Sequence, residues 1–198
     1  MKKLFCAAVA AVALTGCALT TDRIELAYTP QSNVAPLAGA NAVRVQVQVS
    51  DQRTDKAKVG SKKNGFGMEM APILATEDVG VTVKRAIEQE LQARGFQLGA
   101  KDSLVSVGAE VVRFYNDHKN GFFAGDAVAE INLAVRVTST SGAVLYTRSV
   151  SAQGLEANIQ LASGDNAKLA LDRALVNGMR ALFEDQAFIE ALLSVSKG

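Results

Sequence analysis

The sequence predicts an α+β fold: an antiparallel or mixed sheet with two long helices packed on one face and a short helix at the C-terminus. Three observations predict it. Apolar and polar residues alternate over 43–49, 105–111 and 127–137, the period of a strand with one buried face. Apolar residues recur at helical spacing over 79–91 and again over 165–183. The later strands are joined by short connections, which suit antiparallel hairpins.

The N-terminus comes first in the chain. Lys2 and Lys3 precede an apolar run over 4–14, and Leu14-Thr15-Gly16 leads into Cys17. A charged start, a short apolar run and small residues at a cleavage point make a secretory signal. The run is too short for a membrane-spanning helix, which needs about 20 apolar residues. A cysteine directly after the Leu-Thr-Gly triplet makes the segment resemble a bacterial lipoprotein signal. That resemblance implies removal of residues 1–16 and acylation of Cys17 as the first mature residue. Ala18 stands where an acidic residue would commonly mark retention in the inner membrane, so the resemblance favours a periplasm-facing anchor in the outer membrane.

Cleavage removes Lys2, Lys3 and Cys6 and turns the formal charge from +1 to −1. No basic surplus remains to meet phosphates, which argues against nucleic acid as a partner. The remaining cysteine is the acylated one, so no internal disulfide is expected. The 182 mature residues suffice for one domain over 41–198, filled by Val, Ala, Leu and Ile because aromatic residues are few.

Residues 17–40 read as the lipidated cysteine and a tether, with Pro30, Pro36 and Gly39 breaking any periodicity. Within it Ile24, Leu26 and Tyr28 alternate, and pairing of that stretch with a sheet edge would shorten the tether's reach. A strand follows at 43–49 and ends in Asp51-Gln52-Arg53-Thr54-Asp55. Residues 56–67 carry four lysines and three glycines, and Asn64-Gly65 signals the turn of a short irregular hairpin. Thr76, Glu77 and Asp78 suit a helix start, Val79, Val83, Ala86, Ile87 and Leu91 make its buried stripe, and Gly95 ends it. Strands at 105–111, 127–137 and about 144–152 come next, the last two joined at Ser141-Gly142. A second helix spans about 165–183, and Asp185 caps a short third one carrying Phe188, Ile189, Leu192 and Leu193.

The alternating strand that runs into Asp51-Gln52-Arg53-Thr54-Asp55, the helix end Leu91-Gln92-Ala93-Arg94-Gly95-Phe96 and the signal together resemble the YajG family of small bacterial lipoproteins. The resemblance implies an α+β domain anchored in the outer membrane. It carries over no catalytic residues, and it does not extend to the Gly- and Lys-rich stretch 56–67.

Few residues offer chemistry. Asp51, Arg53 and Asp55 alternate at a strand end; an Arg between two carboxylates suits a ligand's charged group, and equally a local ion pair with turn caps. His118 is the only histidine, and it sits among Asn116, Asp117, Lys119 and Asn120, the company of a solvated turn residue. No second imidazole or thiolate completes a zinc site, and no Ser–His–acid spacing is present. Phe122 and Phe123, between Gly121 and Gly125, form a candidate hydrophobic docking point. Residues 60–67 lack the spacing of a phosphate loop.

The expected function is therefore a non-enzymatic interaction module, without metal or cofactor, that binds a periplasmic protein or envelope polymer through a sheet edge and the loops 51–70 and 116–125. The alternative is a small-ligand or lipid-binding module with an apolar pocket between helix and sheet. A third reading is an envelope hydrolase using Asp51 and Asp55 as an acidic pair.

Overall fold

The structure, a computed structural model, describes residues 20–119, 121 and 124–197. Among them eight strands form one mixed sheet: β1 (Asp22–Ile24), β2 (Arg44–Asp51), β3 (Lys58–Lys63), β4 (Glu69–Ala75), β5 (Gln97–Leu98), β6 (Val105–Lys119), β7 (Gly125–Ser139) and β8 (Val144–Ile159). The helices are α1 (Val79–Ala93), α2 (Gly164–Phe183) and α3 (Gln186–Leu193).

Strand β6 organises the sheet. One of its edges pairs antiparallel with β7 from end to end, and β8 adds to β7 in the same sense. The other edge is shared: β2 runs parallel along Val105–Val111, and β3 meets it at Asn116. Antiparallel β4 then joins β3, and the short β1 lies parallel beside β4. The order is β1-β4-β3-β6-β2-β5 along one path, with β7 and β8 on the far side of β6.

This architecture corrects the expected two long helices packed on one face of the sheet. The class is α+β, but the sheet dominates. Three strands have 15 or 16 residues, and the helices are of moderate length, 15 and 20 residues, with a third of 8. The physical reason lies in the strands whose alternation is interrupted. A bulge at Val112, between the pairs Val111↔Leu133 and Arg113↔Asn132, shifts the buried face from odd to even residues. Val107, Ala109 and Val111 are buried before it, and Phe114, Asn116 and His118 after it.

The core forms where the alternating faces of β2, β6 and β7 meet the apolar stripes of α1 and α2. Fully burying a Leu, Ile or Val side chain contributes about 1.5–3 kcal/mol, and Val45, Ile87, Leu91, Leu133, Leu171 and Leu175 are among those with no exposed surface. Two glycines let α2 approach the sheet. A Cβ at Gly154 would lie 2.0 Å from the Ala170 carbonyl oxygen, and one at Gly178 would lie 3.1 Å from the Ile131 side chain. The helix backbone therefore rests on β8 at Gly154.

The segment after Thr20 belongs to the fold. Asp22–Ile24 pairs with β4, Leu26 is buried, and the Leu37 amide donates to the Arg94 carbonyl at 2.9 Å.

Candidate functional site: the open face of the sheet

The face of the sheet turned away from α2 is covered by no element among the described residues. In the paired register Gln48, Gly108, Arg136 and Thr147 form one row across four strands, and Ser50, Glu110, Ala134 and Ser149 the next. These side chains share a face because residues i and i+2 of a strand point the same way. Gly108 and Ala134 lie at the centre and are too small to fill it, so the two rows enclose a trough of about 420 Å³. A Cβ at Gly108 would find only the Arg136 carbonyl oxygen, 4.0 Å away.

Two opposite charges stand in this trough. Glu110 and Arg136 are diagonal neighbours in the register, each opposite a small residue. Both are exposed, and neither side chain has a hydrogen-bond or ion-pair partner among the described residues. The other polar residues of the lining, Gln48, Ser50 and Thr147, are uncharged. The trough can thus donate to and accept from a polar ligand, and match one anionic and one cationic group at once. Its floor is backbone and small side chains, so an extended ligand can lie close to the sheet.

Asp51, Arg53 and Asp55 lie elsewhere, at the β2–β3 connection. Arg53 Nη2 and Nε meet Asp51 Oδ2 and Oδ1 at 2.7 and 3.0 Å. Its Nη1 donates to the carbonyls of Lys58 and Phe114, both at 3.1 Å, and Nη2 also donates to the Lys56 carbonyl at 2.5 Å. The two side chains are only 8% and 2% exposed. Burial alone would raise the Asp51 pKa, but the Arg53 hydrogen bonds and charge overcome it and hold the carboxyl below the usual range. Asp55 Oδ1 accepts from the Lys58 amide at 3.1 Å. The motif ties the β2–β3 turn to β6 and spends its donors inside the chain.

His118 is not a solvated turn residue. It is buried on β6, and its Nδ1–H donates to the Ser61 carbonyl at 2.9 Å. The loops 51–70 and 116–125 do meet: Gly60 pairs with Asn116, and Lys63 forms an ion pair with Asp117. Phe122, Phe123 and Cys17 lie outside the described residues. Among the described residues no group of three His, Cys, Asp or Glu side chains is arranged to hold a metal ion.

The alternation over 127–137 puts Arg136 on the polar face of its strand, but a period of two does not reveal the trough. The available signal was Gly108 in the interior of an alternating strand, a residue that weakens a strand and marks a place where something approaches the backbone.

The model of a family described as uncharacterised lipoproteins matches residues 30–193, and the chain belongs to that family. No curated protein matches the sequence. Among solved structures, a Xanthomonas campestris protein aligns with a TM-score of 0.60 at 11% identity, covering 90% of this chain and 98% of its own. A second, uncharacterised protein aligns with a TM-score of 0.52 at 10% identity, covering 81% and 95%. A minor lipoprotein from Acinetobacter baumannii is more distant, with a TM-score of 0.40, 12% identity and coverage of 73% and 91%. The first two likenesses show the fold.

Proposed function

We propose that this lipoprotein is a non-enzymatic interaction module of the cell envelope. It is anchored through acylated Cys17 in the outer membrane, faces the periplasm, and binds a periplasmic protein or envelope polymer on the open face of its sheet. Within its lipoprotein family, the closer relationship suggested by the strand-end and helix-end motifs is to the YajG group.

The observation that carries this reading is the trough over Gly108 and Ala134, with Glu110 and Arg136 unpartnered inside it. Opposite charges this near on one sheet face usually pair with each other or a neighbour. Left open above a floor of small residues, they suit a partner that supplies both complements.

The reading is tested by photocrosslinking in intact cells, with the reactive residue placed at Gln48 or Thr147 and, as a control, at Arg85 on α1. A discrete adduct at the two sheet positions and none at Arg85 supports it. Identical labelling at all three positions, or adducts at Arg85 alone, overturns it.

A further inference from the structure

The lipid anchor and the fold are nearly contiguous. Strand β1 runs parallel to β4, with Asp22 opposite Ile73 and Ile24 opposite Ala75. Moving upstream along β1 therefore moves toward the start of β4, where the β3–β4 hairpin turns. Thr20 lines a groove of about 290 Å³ at that end, together with Met70 and Leu161. Cys17 precedes Thr20 by three residues, a reach of at most about 11 Å when fully extended.

That same end presents apolar side chains to solvent. Phe66 is 91% exposed, Leu161 63%, Met68 58% and Met70 38%. The hairpin tip is built to carry them. Asn64 Oδ1 accepts the amides of Phe66 and Met68, both at 3.0 Å, and the Gly67 amide donates to the Asn64 carbonyl at 2.9 Å. The turn thus holds its polar backbone internally while its side chains point outward, as a segment entering a poorly hydrated medium must. The cations beside it are matched: Lys62 pairs with Asp22 at 2.8 Å, and Lys63 with Asp117.

We propose that this end of the domain is a membrane-contact surface, on which Phe66, Met68 and Leu161 enter the boundary between lipid headgroups and acyl chains beside the anchored Cys17. The inference rests on the anchoring of Cys17 put forward above. Interfacial side chains of this kind reach about 5–10 Å into the bilayer, a depth comparable to the span between Thr20 and the anchor. The contact fixes how the domain stands on the membrane; the acyl chains supply the attachment.

The chain contains no tryptophan, so a single introduced indole reports its own surroundings. The full-length acylated protein carrying Phe66→Trp, and separately Leu161→Trp, is reconstituted into vesicles of phosphatidylethanolamine and phosphatidylglycerol that contain a lipid brominated near the top of its acyl chains. Val81→Trp on α1 is the control. Flotation with the vesicles reads the anchor, and quenching reads the contact. Blue-shifted, bromine-quenched emission at positions 66 and 161 but not at 81 is expected. Protein that floats while positions 66 and 161 stay unquenched overturns the contact and leaves the anchor standing; protein that fails to float overturns the anchor. A blue shift at position 66 that appears without lipid and grows with protein concentration assigns the patch to a second copy and also overturns the proposal. Both substituted residues are largely exposed, and circular dichroism verifies that each variant is folded.

Discussion

The Tyr28 hydroxyl donates to Glu90 Oε1 at 2.6 Å, across 62 residues of chain. The Gln31 amide donates to the same oxygen at 2.9 Å, and Arg94 forms an ion pair with the other carboxylate oxygen while stacking 4.5 Å above the Phe183 ring. Glu90 has no exposed surface and Arg94 very little. Burial, and then the Glu90 hydrogen bond, push the Tyr28 phenol far above its ordinary pKa, so it stays a donor throughout the physiological range. This cluster locks the N-terminal segment to the ends of α1 and α2.

Glu90→Gln leaves Arg94 buried without its counter-charge. Losing one partner of a buried pair costs about 3–5 kcal/mol, whereas Tyr28→Phe loses one hydrogen bond to a charged group, about 1.5–3 kcal/mol. Urea denaturation of the two variants should rank them in that order.

Arg53→Ala should destabilise the fold by about 3–5 kcal/mol, because Asp51 stays buried and unpaired. Arg53→Lys should recover only part of this, since an ammonium cannot reproduce the forked contacts to Asp51, Lys58 and Phe114. The midpoint of chemical denaturation checks both, and wild-type stability in Arg53→Ala would contradict the clamp.

Gly154→Ala and Gly108→Val separate folding from binding. The first places a Cβ against the α2 backbone, and overpacking of this kind costs about 1–3 kcal/mol or more. The second adds a side chain where there is open space and a strand-favouring residue belongs, so thermal stability is held or rises. Gly108→Val nevertheless fills the trough, and the crosslinked adduct at Thr147 should be lost.

His118 predicts an acid-sensitive stability. Burial holds its pKa below the ordinary imidazole value, the Lys63 charge adds to this, and the Ser61 carbonyl and Asp117 oppose it. An unfolded histidine titrates near 6.5. As pH falls through about 6.5 the unfolded chain takes up a proton that the folded chain resists. Stability is therefore full above that pH and declines below it, until the folded value is reached. Unfolding free energies between pH 7.5 and 5, compared with those of His118→Gln, should show the histidine-dependent slope disappear in the variant.

Much of the local structure was legible because local chemistry dictates it. The valine alternation of β2 and the Asn64-Gly65 turn of the β3–β4 hairpin follow from the sequence, as does Asp185, whose side chain accepts the Ala187 amide at 3.0 Å as the cap of α3. Helix α1 starts later than Thr76 suggested, because Thr76 gives its amide and hydroxyl to the Ile24 carbonyl and Asp78 becomes the cap. What failed was non-local. The bulge at Val112 hid the second half of β6 and made buried His118 resemble a turn residue. A period of two tells which face a residue takes but not which strand lies beside it, so the parallel pairs β1–β4 and β2–β6, and with them the trough, were not legible. The charged run at Asp51 drew notice as a binding site because composition cannot tell an internal clamp from an exposed one.

The anchor at Cys17 is tested most directly by fractionating cells that carry Cys17→Ser behind a secretory signal cleaved without acylation. With residues 1–16 removed and no acyl chain at position 17, the contact at Phe66 and Leu161 is too small to hold the protein by itself, since stable attachment takes two signals such as dual acylation. The variant should leave the membrane fraction on an alkaline carbonate wash while the wild-type protein stays. Retention of the variant through that wash, in the amount seen for wild type, would contradict the account.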